Sequence, residues 1–217
     1  MSDAREQMID AAERLAAERG LAAMSLREVQ AAAGQRNKSA AQYHFGSKEG
    51  LVEAIAATRM GAVGARRREL LDALGPHPTR RELVEALVVP LADHVLAGRS
   101  HWARFQVQAA HDPTFSETVR LAFEGSTFRE VRDGLLAGLD HLPEPLRVRR
   151  LDHAVGIVVA SLAALEGTGR PGEQGSLPAA AQVADLVDMT VGVLDAPVSA
   201  TTSAALTDRP ARPRRPA

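Results

Sequence analysis

"GQRNKSAAQYHFGSKEG", residues 34–50, holds both lysines and the one tyrosine of a 217-residue chain whose remaining basic residues are all arginine. No acid occurs between Val29 and Lys48, whereas Arg36, Lys38 and Lys48 are basic. The chain as a whole carries a net charge of −1 and a pI near 6.7. It therefore has no overall attraction for a polyanion, and any such partner must be held by a local basic patch. Residues 34–50 form that patch.

The flanks supply its scaffold. In "SLREVQAAAG", residues 25–34, Ser25 stands three residues before Glu28 in a capping-box pattern, and Gly34 supplies a stop. Leu26, Val29 and Ala33 make a narrow apolar stripe on a helix of under three turns, too short to be stable unless it packs on neighbours. After the turn "QRNK" a second short segment spans about 38–44, and Gly46-Ser47 punctuates before a long helix that ends near Leu74. Upstream, residues 3–19 place Met8, Ile9, Ala12, Leu15 and Ala16 on one helical face. Two short helices joined by a tight turn and propped by a third make a helix-turn-helix, whose second helix enters the DNA major groove.

The expected DNA-facing set is Ser25, Arg36, Asn37, Lys38, Ser39, Gln42, Tyr43, His44 and Lys48. Lysine and tyrosine donate to phosphate oxygens, as do backbone N–H groups at a helix start such as that of Lys48. Gln42 has the paired donor and acceptor that match adenine, and the small side chains of Ser39, Ala40 and Ala41 would let the helix approach base edges.

Residues 5–55 resemble the DNA-binding domain of the tetracycline repressor (TetR) family, through "MIDAAERLAAERGLAAMSLREVQAAAG" (8–34) and "YHFGSKEGLVEAI" (43–55). The resemblance implies a three-helix DNA-reading head on an all-α, homodimeric, ligand-binding body. Aligning on Phe45 puts Ala40, Gln42 and His44 where the family usually has threonine, tyrosine and a second aromatic. Gln35 then lengthens the turn by one residue, whereas Lys48 carries over without a gap.

The rest of the chain has helical periodicity, so the fold class is all-α. Helices are expected at about Thr79–Ala97, with a kink at Pro90, and at 99–110, 113–140, 143–167 and 178–195. The expected division is a helix-turn-helix domain at 1–55, a ligand-binding and dimerisation domain at 56–196 and a disordered tail at 197–217. Leu151, Ala154, Val155, Val158, Leu162 and Leu165 form a broad face on one of the last long helices. Val183, Leu186, Val187, Thr190, Val191 and Leu194 do so on the other, and together they are the candidate dimer interface. His101, Trp102, Phe105, Phe123 and Phe128 are the candidate wall of a pocket for an apolar small-molecule effector.

Other chemistries find little support. Cysteine is absent, which excludes disulfides and thiolate metal sites. The sequence has no metal-ligand spacing, phosphate loop or nucleophile elbow, so neither a catalytic site nor a cofactor is expected. "RRR" at 66–68, with Glu69 and Asp72 beside it, reads as a solvated face. No signal peptide or membrane span is recognisable, which points to the cytoplasm and to no membrane partner. An all-α enzyme or an interaction scaffold without DNA binding are the competing readings. The first lacks a matched acid, base and metal set, and the second leaves the acid-free stretch unexplained.

Overall fold

Eleven helices and no strand make up the computed structural model, which describes residues 4–37, 39–98, 100–124, 127–166 and 177–207. Lys38, the loop at 167–176 and residues 208–217 lie outside the described residues.

The head is built from α1 (Ala4–Arg19), α2 (Leu26–Ala32), α3 (Ala40–Phe45) and the start of α4 (Lys48–Asp72). The five apolar residues expected on one face of α1 are all buried, together with Val29, Phe45, Leu51 and Ile55 from the other three helices. Ser25 caps α2 as its spacing predicts: its hydroxyl accepts from the Glu28 N–H at 3.3 Å, and its own N–H donates to the Glu28 carboxylate at 3.0 Å. Ser47 caps α4 by accepting from the Gly50 N–H at 3.1 Å.

Two glycines set the corner between α3 and α4. Gly46 has φ 69°, a left-handed conformation costly for other residues. A Cβ on Gly50 would lie 2.1 Å from the Phe45 carbonyl oxygen, so the first turn of α4 approaches the end of α3 only because this position is glycine.

The 25-residue α4 runs on from the head into the body, so the expected division at residues 55/56 falls inside one helix. The body adds α5 (Arg80–Leu96), α6 (Trp102–His111), α7 (Ser116–Glu124), α8 (Thr127–Ala137), α9 (Glu144–Leu165) and α10 (Ala179–Asp195). Where one helix is expected over 113–140, there are two, α7 and α8. The segment after Pro197, expected to be disordered, includes a short helix α11 (Ala200–Thr207) with no buried residue.

Pro90 explains a buried arginine. Proline has no N–H for the carbonyl four residues back, so the Ala86 oxygen would be left unpaired inside α5. Arg67 of α4 donates its Nε–H to that oxygen at 3.0 Å. Its side chain is only 3% exposed, and burial lowers its pKa to about 10. The expectation of a solvated "RRR" face holds for two of its residues: Arg66 pairs with Glu69 and Asp93, and Arg68 with Asp72 and Glu130. Arg67 points the other way, into the α4–α5 contact.

The faces expected at a dimer contact are largely used within the chain. Leu151, Ala154, Val158 and Leu162 of α9 and Leu186, Val187, Thr190 and Leu194 of α10 are buried in the single protomer. Gly156, Ile157, Ala160 and Ala164 of α9 and Ala181, Ala184, Met189 and Gly192 of α10 lie exposed.

Candidate nucleic-acid interface and effector core

Helix α3 turns Ala40, Ala41 and Phe45 into the head core and presents Gln42, Tyr43 and His44 to solvent. Ala40 and Ala41, expected to keep the helix slim for a close approach to base edges, are packing residues of the head core. Tyr43 is 84% exposed, and its ring meets that of His44 edge-on at a centroid distance of 5.2 Å.

Ser25, Arg36, Asn37 and Ser39 are exposed. Asn37 Oδ1 accepts from the Ser39 N–H at 3.0 Å, which shapes the turn before α3. Gln35, the extra turn residue, donates through Nε2 to Gln7 Oε1 of α1 at 2.9 Å, so the lengthened turn is tied back to the head. Gln42 Nε2 donates to the Gly46 carbonyl at 2.5 Å. Its amide thereby closes the end of α3.

Lys48 is half-buried. Its Nζ donates to the Ala22 carbonyl at 3.3 Å and lies 5.5 Å from the ring centroid of Phe115 in the body. The acids bordering the patch are held in helix caps. The Ser25 hydroxyl holds the Glu28 carboxyl below its usual range, and the N–H of Glu49, then the Ser47 hydroxyl, do the same for Glu49. Both therefore stay ionised and mark the limits of the acid-free surface.

This arrangement, two short helices in a capped frame with a solvent-facing phenol, coincides with the segment recognised as homologous. Residues 8–55 match the model of the bacterial regulatory proteins, tetR family. Over these residues the chain is similar to the tetR family. No curated protein matches its sequence. Among solved structures, the fatty acid degradation regulator FadR from Bacillus halodurans superposes with a TM-score of 0.64 at 15% identity, covering 90% of this chain and 97% of that one. A putative tetR family transcription regulator from Shewanella sp. PV-4 gives 0.61 at 17% identity, covering 89% and 96%. AmtR from Mycobacterium smegmatis gives 0.57 at 19% identity, covering 97% of each chain. At these identities the likeness is one of fold, and it extends the tetR architecture through the body.

In that body the expected effector residues fall into two pairs. Trp102 and Phe105 are fully buried on α6 and stack at 5.3 Å with an interplanar angle of 21°. Phe123 of α7 and Phe128 of α8 are half-buried and meet edge-on at 5.2 Å. The His101 N–H donates to Glu13 of α1. Gln106, one turn after Trp102, was not singled out by the sequence: it is 5% exposed and its Nε2 has no hydrogen-bond partner among the described residues. A cavity of about 360 Å³ lies elsewhere, between α9, α10 and α11, with Arg149, Arg150, His153, Val193 and Thr202 among its lining. No residue of the expected aromatic set lines it.

Glu13 was also missed, although it falls in register with Ile9, Ala12 and Ala16. A charge inside an apolar stripe is the available sign of a buried, partnered acid. Glu13 is 1% exposed and pairs with Arg59 of α4.

Proposed function

We propose that this protein is a cytoplasmic transcriptional repressor that binds a near-palindromic operator as a homodimer and leaves it when a small molecule enters the body. The observation that carries the reading is the exposed Tyr43–His44 pair on α3, set in a surface without acids from Val29 to Lys48. Tyr43, Lys48 and the turn residues Arg36, Asn37, Lys38 and Ser39 would engage the phosphate backbone, and Gln42 and His44 the base edges. Ser25 would contribute through the start of α2, where it is exposed.

The dimer is supported by the exposed apolar and small residues of α9 and α10. Ile157 and Met189, 37% and 46% exposed, are large side chains that a lone protomer leaves in water, and the glycines and alanines around them allow close helix approach. A two-fold dimer presents two α3 helices, which calls for half-sites about one helical turn, or a multiple of it, apart.

For the effector, the stacked Trp102–Phe105 pair and the unpartnered Gln106 amide support an apolar molecule with one hydrogen-bond acceptor. A mobility shift on DNA from upstream of the chain's own coding region, over a salt series, tests the reading. Salt-sensitive retardation supports it, and no retardation at low salt removes its central element.

A further inference from the structure

The start of a helix leaves four N–H groups without intrahelical partners. At α6 each one meets a side-chain oxygen. The His101 N–H donates to Glu13 Oε1 at 2.5 Å, and the Trp102 N–H to Ser100 Oγ at 2.9 Å. The N–H groups of Ala103 and Arg104 donate to the two oxygens of Glu166 at 2.9 and 2.8 Å. Glu13 belongs to α1 of the head and Glu166 closes α9, so three helices from both parts of the molecule meet here.

The acids at this junction are not equally compensated. Glu13 pairs with Arg59 of α4, which also reaches Asp10 of α1. Glu166 is 7% exposed and has no ion pair among the described residues; Arg104 beside it directs its guanidinium to the Ala17 carbonyl at 2.8 Å. Ser100 Oγ lies 3.2 Å from Glu166 Oε1 and 3.4 Å from Glu13 Oε1. A hydroxyl has one proton to give, so two buried carboxylates face each other across a single hydrogen. Burial, and then the charge of Glu13, push the Glu166 carboxyl up, against the opposing bonds from Arg104, Ala103 and Ser100. His94 of α5 also feels the charges of Arg59 and Glu13; burial and then Arg59 push it down, and its Nε2 has no partner among the described residues.

We propose that the Glu13–Ser100–Glu166 junction is a proton-linked latch between body and head: Glu166 takes up a proton as α1, α6 and α9 close together and gives it up as they part. Displacement of α6 or α9 is thereby passed to α1 and to the DNA-reading surface. The sign follows from linkage. A raised carboxyl binds its proton more tightly closed than open, so acid favours closure, and opening is favoured as pH rises above the ordinary glutamate value towards that of closed Glu166. His94 opposes this: held neutral when closed, it resists closure as pH falls below the ordinary histidine value.

Trp102, the one tryptophan of the chain, has its own N–H in the junction, so its emission reports there. The full chain is titrated from acid to neutral pH as wild type, Glu166→Gln, Ser100→Ala and His94→Gln, with circular dichroism to confirm folding. The latch predicts a one-proton emission change above the usual glutamate range in wild type and His94→Gln. It predicts no such change in Glu166→Gln and a transition moved to higher pH in Ser100→Ala, which loses a bond to the ionised form. Amide exchange in α1 should follow the same transition. Resting on the DNA-binding reading, affinity for a labelled duplex from the upstream region should change across it by about fivefold or more in wild type but not in Glu166→Gln. A transition that survives Glu166→Gln overturns the latch, as does an α1 whose exchange ignores it. Should Glu166→Gln fail to fold, an unmoved transition in Ser100→Ala overturns it alone. Failure of the duplex to bind at any pH, with α1 still tracking Trp102, counts against the DNA reading and leaves the latch standing.

Discussion

Lys48 stands between two parts of the molecule, its ammonium 3.3 Å from the Ala22 carbonyl in the head and 5.5 Å from the ring centroid of Phe115 in the body. A lysine expected to grip phosphate is thus already occupied in the free chain. A cation over an aromatic face is stabilised by about 0.5–1 kcal/mol at such a site. If DNA must draw Lys48 away, Phe115→Leu should raise affinity about two- to fivefold. An equilibrium titration by fluorescence anisotropy checks this, and a loss of affinity would show that the contact positions Lys48 for DNA instead.

Arg67 and Pro90 should be coupled. Arg67→Met leaves the Ala86 carbonyl unpaired and should cost about 1–3 kcal/mol of stability by urea unfolding. In a Pro90→Ala background the helix regains the N–H that reaches Ala86, and the cost of Arg67→Met should fall by about 1 kcal/mol or more. Equal costs in both backgrounds would show that Arg67 serves another purpose.

The proposed dimer surface is the exposed side of α9 and α10, because the faces that periodicity suggested are buried within the protomer. Ile157→Glu or Met189→Glu should raise the dimer dissociation constant at least about a hundredfold while the protomer stays folded, as read by sedimentation. Val158→Asp and Val187→Asp should instead unfold the protomer, because both side chains are buried inside it.

The effector core gives a paired expectation. Gln106→Leu removes an unpaired buried amide and should raise stability by about 1 kcal/mol. It should also weaken release of DNA by any effector that quenches Trp102. A normal response in this variant would place the effector's polar contact elsewhere.

What the sequence disclosed and what it hid follow physical lines. Ser25 with Glu28, the stripe of α1 and the cap Ser47 were legible because each is a local rule, a side chain serving its own helix. Which face of a buried helix meets its own chain was not: Val158 and Ile157 are adjacent apolar residues, and only tertiary packing decides between them. Arg67 was misjudged for the same reason, since its partner is a carbonyl freed by a proline 23 positions on. In the candidate site, the gathering of Tyr43 with both lysines was legible from composition, and the structure leaves the Tyr43 ring exposed. The engagement of Lys48 with Ala22 and Phe115 depends on close tertiary geometry that no spacing announces.

The central claim is that the acid-free surface of α3 and the start of α4 binds duplex DNA. Its most direct test is anisotropy of a labelled upstream duplex from low to moderate salt, with wild type, Tyr43→Phe and Lys48→Ala. The account predicts that log K falls linearly with log salt concentration, and that Lys48→Ala weakens binding and flattens the slope by about one unit per protomer. Tyr43→Phe should weaken binding to all sequences alike. Binding whose strength and salt slope are unchanged by Lys48→Ala and Tyr43→Phe, or no binding at low salt, would contradict it.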